Sequence, residues 1–110
     1  MKPYIIQNKE FINFFSKLSP HKKQKLIPLL SKDQINTISE ICKKILKRNL
    51  TEDSKVIKKL RPSQNEIKTI TLKTIPLYKK KKILQTRKGG AILSILLPLA
   101  ASIVTSLLHK

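Results

Sequence analysis

Residues 91–108 read AILSILLPLAASIVTSLL: thirteen of the eighteen are Ala, Val, Ile or Leu, and none is charged. Water does not tolerate such a segment as free chain, so it must enter a bilayer or a protein core. As a helix it would run about 27 Å at 1.5 Å per residue, close to the roughly 30 Å hydrocarbon core of a membrane. Pro98 would kink it near its middle, which membrane helices accommodate. The first expectation is therefore a transmembrane or membrane-interacting C-terminal segment. Its contacts would come from Ile92, Leu93, Ile95, Leu96, Leu97, Leu99, Ile103, Val104, Leu107 and Leu108. The alternative is a buried C-terminal core helix.

The rest of the chain has the opposite character. The 110 residues carry 24 Lys plus Arg against 6 Asp plus Glu, a formal charge of +18. All of that charge except Lys110 lies in residues 1–88, and Gly89-Gly90, the only glycines, stand between the two regions. An excess of this size calls for an anionic partner, nucleic acid or an anionic lipid surface. With 40% hydrophobic residues the chain can nonetheless build a modest core. One cysteine, Cys42, rules out an intrachain disulfide, and its apolar neighbours predict a buried thiol. The only apolar run in MKPYIIQNKEF, Tyr4 to Ile6, is too short for a secretory signal, and no N-terminal targeting segment is expected.

The basic body is patterned for helices. Phe11, Ile12, Phe14, Phe15 and Leu18 form a stripe at helical spacing, with Phe11, Phe14 and Phe15 read as core. Ser19 and Pro20 suit the cap and first position of a second helix over residues 20–30, pointing Leu26, Ile27, Leu29 and Leu30 inward. Pro28 should kink or shorten it. Ser31 to Gln34 fits a capping box ahead of Ile35, Ile38, Ile41, Cys42, Ile45 and Leu46, predicting a helix over 32–48. Thr51, with Glu52 and Asp53 behind it, would cap a short helix burying Val56, Ile57 and Leu60. Ser63 to Glu66 offers another capping box, leading a helix with Ile67 and Ile70 inside. From Thr69 to Ile75 the pattern alternates as in a strand, and is read as a fraying helix end.

Catalytic constellations are not evident. His21 and His109 are distant in sequence and flanked by Lys, and with one Cys they make no metal-ligand spacing. The acids stand mostly in first helical turns, where the helix dipole explains them. Neither glycine belongs to a phosphate-cradling loop. The chain is read as a non-enzyme with no catalytic residues, no metal and no cofactor.

The densest charge is YKKKKILQTRK, residues 78–88, with six basic residues among the last ten. Four adjacent lysines go all the way round a helix, and an anionic partner relieves their mutual repulsion. Lys79, Lys80, Lys81, Lys82, Arg87 and Lys88 are the candidate nucleic-acid contacts. Lysines act as point charges on phosphates, which gives binding without sequence preference. Only three of the 24 basic residues are Arg, the side chain best suited to reading guanine, so base-specific readout by a helix-turn-helix in 32–60 is disfavoured.

A basic run, then Gly-Gly, then a Leu/Ile/Ala/Pro segment, here RKGGAILSILLPLAASI from Arg87 to Ile103, resembles the precursor of adenovirus core protein X (mu) and its counterparts in Polinton/Maverick elements and adintoviruses. The upstream SPHKKQKLIPLLSKDQINTISEICKKIL resembles short proteins encoded by such elements. The resemblance implies a minor virion component that condenses packaged double-stranded DNA by charge. It also implies capsid partners and cleavage by a viral cysteine protease after Gly90, in a virion, host nucleus or host membrane setting. Two departures stand out: Arg87 occupies a position where that protease prefers Met, Ile or Leu, and the body is rich in Lys rather than Arg.

Together these readings predict an all-α protein. A small bundle of four or five short helices (1–75) leads to a basic helix or linker ending in Gly-Gly (76–90) and a hydrophobic C-terminal helix (91–110). Gly89 and Gly90 would be hinge or cleavage site. The leading function is a virus-type protein that binds double-stranded DNA non-specifically, with a membrane-interacting tail. A tail-anchored or membrane-lytic protein on anionic lipid, and a helical adaptor docking its tail into a partner, are the alternatives.

Overall fold

The computed structural model describes residues 8–47 and 54–108, the side chains of residues 45, 54 and 103–108 excepted. Thr51, Glu52, Asp53 and His109 lie outside the described residues. The fold is all-α. Seven α-helices are described: α1 (Lys9–Ser16), α2 (Pro20–Leu26), α3 (Lys32–Leu46), α4 (Ser54–Leu60), α5 (Gln64–Thr71), α6 (Leu77–Gln85) and α7 (Arg87–Leu108). Single 3₁₀ turns follow α2 (Ile27–Leu29) and α4 (Arg61–Ser63). Five short helices thus precede the basic helix α6 and the apolar helix α7, and no strand occurs among the described residues.

Local signals set most of the helix ends. Ser19 Oγ accepts a hydrogen bond from the Lys22 amide at 3.3 Å, and Pro20 opens α2. Pro28 lacks an N–H and its ring would meet the carbonyl one turn back, so α2 stops at Leu26 and tightens into the 3₁₀ turn. The capping box of α3 closes reciprocally: the Gln34 amide donates to Ser31 Oγ at 3.2 Å, and the Ser31 amide to Gln34 Oε1 at 2.9 Å. The second expected box is not made. Ser63 forms no cap bond, and Glu66 instead reaches Lys88 through Oε1 at 3.3 Å, since a charged partner binds a carboxylate more strongly than a neutral amide does. The strand-like alternation ends as helix at Thr71, with Leu72 extended beyond it.

One core joins the helices. It takes Ile12 and Phe15 from α1, Ile27 and Leu30 around the first 3₁₀ turn, Ile35, Ile38, Ile41 and Cys42 from α3, Leu60 from α4, Ile67 and Ile70 from α5 and Leu84 from α6. Helix α7 packs mainly on α1 and α6, and α3 on α5. Two residues expected inside point out. Phe14 is 60% exposed because Phe11 and Phe15, whose tilted rings meet with centroids 5.2 Å apart, already occupy the inward face of a two-turn helix. Leu29 is 78% exposed because the 3₁₀ turn rotates it off the face that buries Ile27 and Leu30.

The transmembrane expectation for the C-terminal segment is corrected. Among the described residues, no helix is long and apolar enough to cross a membrane. Helix α7 instead buries Ile92, Leu93, Leu96, Leu97, Ala100 and Ala101, one stripe at helical spacing, in the same core as α1 and α6. Ile95 and Leu99 pack at its edge. Its outward stripe is Ala91, Ser94, Pro98 and Ser102, all exposed. Beyond Lys88 the helix is therefore amphipathic without a charge, its outer face marked by small and hydroxylated residues. Pro98 sits on that outer face, so the N–H that it cannot offer to the Ser94 carbonyl is missed on the water side of the helix. The side chains of Ile103, Val104, Leu107 and Leu108 lie outside the described residues.

The junction falls at Thr86, three residues before the glycines. Thr86 is extended, and its Oγ1 accepts from the Gly89 amide at 3.1 Å, which makes it the cap of α7. Gly89 and Gly90 belong to the first turn and a half of that helix. Of the two, Gly89 is where backbone packs closely. A Cβ on Gly89 would stand 2.2 Å from the Ile83 carbonyl oxygen and 2.5 Å from Leu84 Cα, so only glycine lets α7 begin against the last turn of α6.

Candidate functional site: exposed lysines beside a lysine-lined cavity

The six basic residues singled out around α6 divide into two sets. Lys79, Lys82, Arg87 and Lys88 are exposed. Lys79 and Lys82 stand one turn apart on a single face, together with Tyr78, which is 66% exposed. Lys79, Lys82 and Arg87 meet no carboxylate at ion-pair distance among the described residues, whereas Lys88 bridges Glu66 and ties α7 to α5. Its side chain is more than half exposed, so that bridge is worth at most about 1 kcal/mol and leaves Lys88 open to exchange for another anion.

The other two turn inward. Lys81 donates to the Pro28 carbonyl at 3.0 Å, fastening α6 to the first 3₁₀ turn. Lys80 is only 6% exposed, and its ammonium donates to Ser39 Oγ at 3.3 Å. Ser39 in turn donates to the Ile70 carbonyl, so a buried polar chain links α6, α3 and α5. Burial, and secondarily the charge of Lys43, holds the Lys80 amine below the usual lysine range, while nearby Cys42 opposes this weakly. Cys42 is itself fully buried, which pushes its thiol up to about 12 despite the attraction of Lys80. It is a neutral thiol at pH 7, packed as a core residue.

Lys80 lines a half-open cavity of about 510 Å³ between α3, the 72–76 loop and α6. Lys32, Asn36, Ser39, Glu40 and Lys43 of α3 form one wall at spacings of three or four residues, Thr71 and Lys73 another, and Ile75 and Leu77 an apolar side. Glu40 is the only acid among the described residues that line it, and it pairs with Lys43 at 3.4 Å. Lys32, Lys43 and Lys73 carry no local motif in the sequence. The cavity gathers them from two segments about 30 residues apart, and the one visible signal was the surplus of lysine itself. Tyr78 was equally silent as a surface residue.

No group of three or more His, Cys, Asp or Glu placed to hold a metal occurs among the described residues. The arrangement can bind anions through ammonium groups, hydroxyls and an amide. Fold and surface define a small all-α protein with a cationic exterior. No known protein family, curated protein or solved structure matches the chain.

Proposed function

We propose that this protein binds double-stranded DNA through its phosphate backbone, without sequence preference, as a small basic component packaged with viral-type DNA. The observation that carries the reading is the set Lys79, Lys82 and Arg87: exposed cations along α6 and at the start of α7 with no acidic partner among the described residues. Cations held on a helix and left uncompensated gain most from phosphates, because binding releases the counterions condensed on DNA. Lysine dominance favours positioning on the backbone over base readout. The protein acts by binding and not by catalysis. The viral setting, with capsid proteins and a processing protease as partners, comes from the resemblance of RKGGAILSILLPLAASI to the core-protein precursors. In the folded protein the bond after Gly90 lies within α7, so cleavage there requires the first turns of that helix to unwind.

The test is fluorescence anisotropy of a labelled mixed-sequence duplex with the full chain, titrated across a range of salt. Affinity should fall steeply with salt, by a log–log slope of about 0.9 per phosphate engaged, and unrelated duplexes should compete equally. Replacing Lys79, Lys82 and Arg87 together by Ala should reduce that slope by about 2 to 3. Salt-insensitive binding, no binding at about 50 mM salt, or an unchanged slope in the triple variant would overturn the proposal.

A further inference from the structure

Lys80 has no electrostatic reason to be buried where it is. Its ammonium offers three donors, yet among the described residues its one hydrogen-bond partner is the neutral Ser39 hydroxyl. Among the described residues no carboxylate lies within ion-pair distance of it. The charges that face it make matters worse: Lys43 repels it, and the Cys42 thiol is neutral. A cation withdrawn from water without a counter-ion is costly, and proteins normally pair such groups. Here the cation opens onto a cavity that Lys32, Lys43 and Lys73 also line, against the single acid Glu40.

We infer that this cavity is a binding site for a small organic phosphate, a phosphomonoester dianion whose charge meets Lys80 and Lys43. Its volume, about 510 Å³, falls in the range of small-molecule pockets and exceeds the needs of a bare phosphate. Ser39, Thr71 and Asn36 supply hydroxyl and amide donors for the remaining oxygens. Ile75 and Leu77 form an apolar wall for the organic part of the ligand. Lys32 and Lys73, both exposed, stand where they can draw the anion in. A dianion would supply the countercharge that Lys80 lacks, and it would leave the Glu40–Lys43 pair free to open.

This site is separate from the Lys79, Lys82 and Arg87 surface, so the two proposals fail independently. The full chain is titrated by calorimetry with sodium pyrophosphate, AMP and adenosine at constant ionic strength. The expected result is one saturable site for pyrophosphate and AMP, with adenosine binding at least tenfold more weakly. Lys80→Met and Lys43→Met should each weaken AMP at least tenfold, while Lys79→Ala with Lys82→Ala should change it less than twofold. Lys43→Met carries the test by itself if circular dichroism shows that Lys80→Met does not fold. A short duplex with and without 5′-phosphates separates the sources. A Lys43-dependent preference for phosphorylated ends assigns the site to nucleic-acid termini, and its absence beside AMP binding assigns it to free nucleotides. The inference is overturned if neither pyrophosphate nor AMP saturates, if adenosine binds as well as AMP, or if surface and cavity variants lose binding equally.

Discussion

Helices α3 and α7 each bury one continuous stripe in the same core, yet they arrive at it by different routes. Helix α3 (KDQINTISEICKKIL) follows a familiar local code: a closed capping box, apolar residues at helical spacing, and charged or polar residues outside. Helix α7 has no charge after Lys88, and a reader who counts charges sees a membrane segment. Its outer face is distinguished only by Ala91, Ser94, Pro98 and Ser102. The difference teaches that amphipathicity is a contrast in what each face loses by leaving water. Serine and proline gain little from burial, while Leu93, Leu96 and Leu97 gain about 2 kcal/mol or more each. That contrast is enough to orient a helix once a core is available.

The comparison breaks most readily inside α7. Leu97→Ala should cost about 2–5 kcal/mol in denaturant unfolding, because it opens a cavity between α7 and its neighbours. A loss below about 1 kcal/mol would mean that the stripe is not packed as described. At the start of the helix, Gly89→Ala should cost about 1–3 kcal/mol, since the new methyl group meets backbone at 2.2 Å. Gly90→Ala is the matched control. Its Cβ would meet only the flexible end of Gln24 at 3.2 Å, so the gain in helix propensity, about 1 kcal/mol, should leave it neutral or more stable. Equal effects at the two glycines would refute the close approach of α6 and α7.

Helix α3 should respond at its local code. Ser31→Ala removes the cap and should lower stability by about 1 kcal/mol, read from the same unfolding curves. The smallest effect sharpens the contrast further. Ser94→Lys places a full charge on the outer face of α7 and should change stability by less than about 0.5 kcal/mol, as at other exposed positions. A substantial loss there would show that this face is covered.

How much of this was legible in the sequence depended on range. Ser19, Ser31 and Pro28 act on atoms within four residues of themselves, and their effects could be read directly. The inward set of α3 repeats along one helix and was equally plain. Ser63 could not be read this way, because its partner Glu66 is taken by Lys88, 22 residues further on. Phe14 and Leu29 looked like core by type, but their exposure follows from a crowded short helix and from the rotation of a 3₁₀ turn. At the candidate sites, the run Lys79 to Lys82 was visible as charge. Its division into outward Lys79 and Lys82, Lys81 fastened to Pro28 and buried Lys80 was not, since a helix face acquires meaning only from what packs against it. The cavity was the least visible feature, for Lys32, Lys43, Lys73 and Lys80 become neighbours only when α3, the 72–76 loop and α6 come together.

The sequence by itself determined that the chain is helical, that it carries a large positive excess, and that residues 91–108 must leave water. Those outcomes follow from composition, periodicity and short-range capping, which need no partner. Tertiary structure decided where residues 91–102 go, which lysines remain available, and why Gly89 must be glycine. The first two turn on the distance between segments remote in the chain, and the third on how closely α7 starts against Ile83 and Leu84 in the last turn of α6. An apolar helix enters whatever apolar phase lies nearest, and in this fold the grooves beside α1 and α6 supply it.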